Sequence, residues 1–311
     1  MTDLNQLGDL PPKRKMGEVD TVTNTAETST VLNTENSINN TVLNSEMHQE
    51  SDFQNAEPTK PTYNNIPTEV IDLPSKGLLY TPGSELSKGQ IRMKYMTARE
   101  EDILTNQMLI KKGTVLDELF KSMIISPIKY DDLLIGDKNA IIVWARILSY
   151  GSSYDIQVTT PSGKQMDVTV NLEELKQKEI NTKLVTPGQN VFKFTTPKTN
   201  NVIEFKLLTV KDDREIDERI QGLKKIGEQA SLTTRLKQMI LSVDGNNQVG
   251  YINQFISERF LASDSREFRK YINEIQPNMD MSIDLIDEET GNSFRTPVTI
   301  GLNFFWPDAE S

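Results

Sequence analysis

The chain contains no cysteine and, among its 311 residues, a single histidine, His48. The first absence excludes a disulfide framework, a thiol nucleophile, an iron–sulfur site and a thiolate zinc site. The second means that no site needing two imidazoles can be built within one chain, and that a Ser-His-Asp triad would have to recruit His48. No window approaches the run of about 18 apolar residues that a membrane helix needs. Met1–Asp20 lacks the apolar stretch of a secretory signal, which predicts a protein made and used in a cytoplasm. Positive charge is scarce: the net charge is −11 and the isoelectric point is near 4.8. That balance argues against broad contact with nucleic-acid phosphates and against docking on an anionic membrane.

The charge is unevenly divided. Residues 1–66 hold four Lys/Arg and ten Asp/Glu, so −6 of the −11 lies there. The same stretch has ten Asn and ten Thr but only two aromatics, Phe53 and Tyr63. Such a composition cannot offset its ordering entropy, so residues 1–66 read as a disordered, polar, acidic arm. Its plainest role is a passive extension, and the alternative is an arm that orders on a partner. Thr21-Val22-Thr23 and Thr41-Val42-Leu43 are too short to identify a binding motif, and Lys13-Arg14-Lys15 is shorter than a usual basic patch. Residues 67–311 carry nineteen of the 21 aromatics and read as one packed domain.

Within that domain, Asp72–Tyr80 is extended and turn-punctuated by Pro74 and Gly77. Gln90–Met96 alternates Ile91, Met93 and Tyr95 on one face, the period of a strand. Thr97 and Glu100 have the spacing of a capping box, ahead of Ile103 and Leu104. A second helix follows Gly113 and runs to Pro127. A third is expected to be capped by Asp137, to carry Ile141, Trp144, Ala145 and Leu148, and to stop at Gly151. The period then falls to two: Tyr154, Ile156 and Val158, then Met166, Val168, Val170 and Leu172, joined by Pro161–Lys164, predict a hairpin. Val191–Phe194 and Val202–Leu208 predict another. Four helices follow, begun by Asp212 or Asp213, by Ser231, by the stretch bearing Ile252 to Phe260, and by Asp264 with Glu267. Met281–Ile286 and Phe294–Leu302 close the domain, with Pro297 placing the last strand at an edge or bulge. Strands cluster in antiparallel hairpins and helices cluster in runs, which is an α+β pattern. No internal repeat stands out.

Motifs that carry chemistry are missing. Gly163-Lys164 is followed by Gln165, and Val158 stands where a phosphate loop needs glycine. No dinucleotide-binding glycine pattern occurs. Asp287, Glu289 and Gly291 fail the spacing of a calcium loop. The acidic pairs Glu100/Glu101 and Asp212/Asp213 begin helices, where the helix dipole alone accounts for them. Adjacent residues on a helix do not face one another, so neither pair suits general acid–base work. Arg214, Arg219, Lys224, Lys225, Arg235 and Lys237 are interleaved with acids, as on a solvated helix surface. No catalytic, cofactor or metal residue is therefore assigned. A hydrolase or nuclease using carboxylate-bound magnesium, and a head- or DNA-associated virion protein, stay as alternatives with little support.

The one unusual local feature is Phe304-Phe305-Trp306-Pro307. Three successive aromatics cannot share one face of a strand. Either they pin the chain end onto the core, or Phe304, Phe305 and Trp306 present an anchor for a partner, as aromatic side chains do at interface centres.

Five stretches, taken in order, resemble the baseplate (hub) assembly proteins of T-even-type contractile-tailed bacteriophages. They are Ile71–Tyr80, Arg92–Leu104, Arg146–Leu172, Phe205–Asp212 and Asn303–Pro307, and the resemblance spans about residues 70–307. It implies a non-enzymatic assembly factor, a chaperone or a minor structural part, that acts through contacts with hub subunits in the host cytoplasm or in the tail baseplate. Nothing in it fixes the oligomeric state. It also implies a Cys-Pro-x-Cys knuckle in the first hairpin, which this chain replaces with Thr160-Pro161-Ser162-Gly163. Without thiolates no zinc site carries over.

Overall fold

A computed structural model describes residues 66–300, except Glu179 and Gln229, together with Phe304–Trp306. The arm predicted for residues 1–66, with His48, lies outside the described residues apart from Ile66. Strands β1 (Thr68–Asp72) and β2 (Gln90–Lys94) pair antiparallel, with Ile71 opposite Ile91. Helices α1 (Ala98–Leu104), α2 (Gln107–Lys112), α3 (Val115–Met123) and α4 (Ile135–Tyr150) follow. The hairpin of β3 (Ser153–Thr159) and β4 (Gln165–Asn171) comes next. Then β5 (Phe192–Thr195) and β6 (Val202–Phe205) lead into α5 (Val210–Lys225) and α6 (Ser231–Met239). Strand β7 (Ile240–Val243) pairs with β6, so β6 is central in a three-stranded sheet. Helix α7 (Val249–Gln254) runs on as a π turn, α8 (Ala262–Ile275) follows, and β8 (Ser282–Ile286) pairs with β9 (Ser293–Pro297). The chain is α+β, as its periodicities predict.

Much of the element order occurs twice, against the reading of the sequence as free of repeats. In each half a strand pair enters a capped helix (α1, α5), a later helix (α3, α6) leads back to the sheet, a longer helix (α4, α8) follows, and a hairpin closes the unit, while α2 and α7 have no counterpart. Residues 91–101 (Ile-Arg-Met-Lys-Tyr-Met-Thr-Ala-Arg-Glu-Glu) are echoed by residues 203–213 (Ile-Glu-Phe-Lys-Leu-Leu-Thr-Val-Lys-Asp-Asp). Residues 120–126 (Phe-Lys-Ser-Met-Ile-Ile-Ser) are echoed by residues 236–242 (Leu-Lys-Gln-Met-Ile-Leu-Ser). Contacts at matching positions agree. Ile124 pairs with Met93 as Ile240 pairs with Phe205. The Ser126 hydroxyl accepts from the Arg92 amide, and the Ser242 hydroxyl donates to the Glu204 carboxylate.

The repeat also explains where the expected helix starts fail. Leu134 precedes α4 with φ −67° and ψ 146°, and Leu261 precedes α8 with φ −59° and ψ 143°. Asp137 and Asp264, expected as caps, are instead the third residues of these helices and fully buried. Asp137 accepts from the Ser75 amide at 2.8 Å and from the Tyr80 hydroxyl at 2.5 Å. The Tyr80 oxygen in turn accepts from the Leu134 amide at 2.9 Å, so a distant tyrosine caps α4. Asp264 accepts from the Lys198 and Thr199 amides at 2.9 and 3.2 Å and from the Thr199 hydroxyl. In both halves, then, the loop joining the first two strands is bound to the first turn of the long helix. Asp212 and Asp213 do not start α5 either: Thr209 caps it. The helix begun at Ser231, whose apolar positions Leu232, Leu236, Met239 and Ile240 predict that it runs through Ile240, stops at Met239, and Ile240 begins β7.

The buried apolar residues form one cluster spanning both halves, from Ile71 and Phe120 to Phe205 and Phe268. Backbone joins them: the Ile135 amide donates to Leu208 oxygen at 3.1 Å, and the Val210 amide to Leu133 oxygen at 2.8 Å. Gly136 lies where a Cβ would stand 1.6 Å from the Pro277 carbonyl oxygen, so only glycine admits this crossing.

Replacing Asp137 with Ala strands a buried amide and a buried hydroxyl. The expected loss is about 2–4 kcal/mol in urea unfolding, and Asp264→Ala should cost a similar amount. A neutral effect at both positions would contradict the clamp.

Candidate functional site

The acidic pairs that the sequence offers for chemistry occupy equivalent places, just past the capped helix starts. Thr97 precedes α1, and the Glu100 carboxylate accepts from its amide at 3.1 Å and its hydroxyl at 2.6 Å. Lys94, six residues earlier, and Ser122 of α3 donate to the other oxygen at 2.8 and 2.6 Å. Thr209 precedes α5, and Asp212 accepts from the Thr209 amide and hydroxyl at 3.0 and 2.9 Å. Lys206, again six residues earlier, and Gln238 of α6 donate to it at 2.6 and 2.9 Å. Each carboxylate therefore ties a strand, a helix start and a second helix together.

Burial by itself would raise the Glu100 carboxyl, but the hydrogen bonds from Lys94, Ser122 and Thr97 outweigh it and hold it at about 2. Asp212 is lowered in the same way: burial opposes ionisation, and Lys206, Gln238 and Thr209 overcome it. Both are fixed anions at neutral pH, and neither can exchange a proton there. Asp137 differs, because burial lifts its carboxyl above the usual range while Tyr80 and Ser75 pull it down. Among the described residues no three potential ligands of the His, Cys, Asp or Glu type converge. Two of the basic residues interleaved with acids are held in ion pairs: Arg214 with Asp131 of the first half at 2.6 Å and Arg235 with Asp213 at 2.7 Å.

The terminal aromatics are the remaining candidates. Phe304 and Phe305 are buried, and Trp306 is half-buried. Phe304 meets the Tyr154 ring edge-on at 4.9 Å, with the Arg146 guanidinium 5.9 Å from its centroid. Arg146 is itself held by the carbonyls of Gly151 and Ser153 at the joint between α4 and β3. Phe305 lies 6.0 Å from Phe120 of α3. The Trp306 indole donates to the Leu104 carbonyl at 3.2 Å and lines a cleft with Leu116, Phe120 and Ile142. The segment thus packs against α1, α3 and α4, and Trp306 forms part of the wall of an open cleft of about 820 Å³. The sequence identified the aromatics but not their seat, because Phe120 and Arg146 lie far away along the chain.

The first hairpin tip, where the resemblance implied a thiolate knuckle, is closed by hydrogen bonds. The Thr160 amide donates to the Lys164 carbonyl, the Lys164 amide donates to the Thr160 hydroxyl, and that hydroxyl meets the one of Ser162 at 2.8 Å. Asp287, at the tip of the β8–β9 hairpin, accepts from the Ser162 amide and hydroxyl at 3.3 and 3.2 Å. These are the equivalent hairpins of the two halves, meeting tip to tip. Asp287, read in the sequence only as a failed calcium loop, is the residue that joins them.

Residues 68–259, more than half of the chain, match the family described as T4 bacteriophage base plate protein. No curated protein matches the chain, and neither does any solved structure.

Two measurements test this geometry. The Glu100 carboxyl is held at about 2 against an ordinary 4.5, so its contribution is complete above about pH 4.5 and is lost as pH falls toward 2. Glu100→Gln should therefore cost roughly 3 kcal/mol at neutral pH. Denaturation at successively lower pH should show the gap from the unsubstituted protein closing, and a gap independent of pH would refute the assignment. Phe305→Ala should lower stability by about 3–5 kcal/mol and Trp306→Ala by less, because only the former is fully buried. Equal, negligible losses would show that the aromatics do not pin the segment to the core.

Proposed function

The chain belongs to the family of T4 bacteriophage base plate proteins, and we propose that it serves the baseplate hub as a non-enzymatic assembly factor or minor structural part. It works by presenting shaped surfaces to hub subunits, in the host cell while tails are being built. The observation that carries this reading is the use made of the titratable groups. Glu100, Asp137, Asp212 and Asp264, the buried carboxylates nearest to a chemical role, are all bound to donors of the chain's own loops and helices. A group committed to that many internal bonds holds structure.

A protein acting through surfaces needs a rigid frame and low affinity for the nucleic acid around it. The net charge of −11 supports the second requirement. The internal clamps supply the first.

Co-expression with hub subunits should yield a complex that survives size-exclusion chromatography, and deletion of the gene should reduce infectious tails. Normal tail assembly without the protein would overturn the proposal. Quantitative mass spectrometry of purified particles against infected lysate then separates a retained part from a released helper.

A further inference from the structure

The two closing hairpins face each other with unpaired strand edges. Each is a sheet of two strands, so β4 has a neighbour only in β3, and β8 only in β9. Between β4 and β8 lies an open cavity of about 380 Å³, with Val168–Asn171 along one wall and Ser282–Leu285 along the other. Successive residues line it, so strand edges rather than sheet faces border it. Its two ends are joined. At the base the Asp280 amide donates to the Lys176 carbonyl at 2.7 Å, and the Lys178 amide to the Asn278 carbonyl at 2.8 Å. At the tips the joint is the Asp287 carboxylate on Ser162. Among the described residues no backbone bond crosses the slot in between.

The ladders fix which groups point into the slot. The Thr160 amide bonds to Lys164 and the Leu172 amide to Ser152, at the two ends of the β3–β4 pair. Bonded and non-bonded pairs alternate along an antiparallel ladder. From either end, Asp167, Thr169 and Asn171 fall at non-bonded pairs, so their amides and carbonyls turn away from β3. The Asp287 amide on Asn292 and the Val298 amide on Met281 set β8 in the same way. There Ser282, Asp284 and Ile286 turn away from β9. The backbone groups of these six residues have no partner among the described residues. The outer edge of β9 is guarded instead, because Pro297 has no amide to offer there. Side chains around the slot specify what it suits. Val168, Ile283 and Leu285 present half-buried apolar surface to it. Among charged residues, the exposed positions of the four strands carry Asp155, Asp167 and Asp284 against Arg295 alone. An extended segment that alternates apolar with basic side chains matches both faces. The chain's own residues 1–66, with a net charge of −6, do not.

We propose that the slot between β4 and β8 receives an extended segment of a partner subunit, alternating apolar and basic residues, as an added strand that joins the two hairpins into one sheet. Full insertion needs β4 and β8 about 10 Å apart, and the side-chain joint at the tips is the one that yields. The proposal rests on the assembly reading and names one of its surfaces, and it is tested on the isolated full chain so that its failure leaves that reading to its own experiments. The probe is a fluorescein-labelled peptide that alternates valine and lysine. Fluorescence anisotropy should show saturable binding, and hydrogen–deuterium exchange should slow at the Asp167, Thr169, Ser282 and Asp284 amides. Thr169→Pro and Asp284→Pro remove amides that face the slot and leave the ladder bonds in place, and each should weaken binding by roughly tenfold or more. Gln157→Pro, on the outer edge of β3, should leave it unchanged. A peptide with glutamate in place of lysine should also bind roughly tenfold more weakly or worse. Absence of saturable binding overturns the proposal, as does equal loss with Gln157→Pro or protection away from β4 and β8. Binding that appears only after residues 1–65 are removed, or self-association that Thr169→Pro abolishes, would give the slot to the chain's own arm or to a second copy and overturn it as well.

Discussion

A buried aspartate three residues into a long helix, turned toward the amides of a distant loop, is the constraint on which each half of this molecule depends. Asp137 binds the loop between β1 and β2, and Asp264 binds the loop between β5 and β6. Each fixes a strand pair against the long helix of its half. The second pair of carboxylates, Glu100 and Asp212, then locks the strand-to-helix turn and the neighbouring helix to the same sheet. Charge buried in this way is strongly destabilising when a partner is removed, so the geometry is tightly specified even where its net stabilisation is modest.

The duplication gives these clamps a common logic. Two units with the same contacts meet through backbone bonds between Leu133–Ile135 and Leu208–Val210, and through the tips of their closing hairpins at Ser162 and Asp287.

Much of the fold was legible in the sequence because period reports burial directly. The alternation at Tyr154–Val158 and the spacing at Ile141, Ala145 and Leu148 each gave the right element. Helix starts were less legible. Asp137 and Asp264 resemble caps in sequence, but leucine holds the cap position and the capping oxygen of α4 comes from Tyr80, more than fifty residues away. Strand β7 was hidden because Met239 and Ile240 continue a helical pattern while the backbone turns extended. The repeat is faint in the sequence for a related reason: what recurs is a sparse set, Lys, Thr and an acid, whose meaning lies in contacts between elements. The aromatic terminus was recognised as unusual, yet only the positions of Phe120, Tyr154 and Arg146 decide that it folds inward.

The central claim is that Asp137 and Asp264 each clamp the loop of a strand pair to the first turn of a long helix. Hydrogen–deuterium exchange of Asp137→Ala and Asp264→Ala, each compared with the unsubstituted chain, tests it most directly. The account predicts faster exchange centred on the Ser75 and Leu134 amides in the first variant and on the Lys198 and Thr199 amides in the second. Unchanged exchange at those amides in both variants would contradict it.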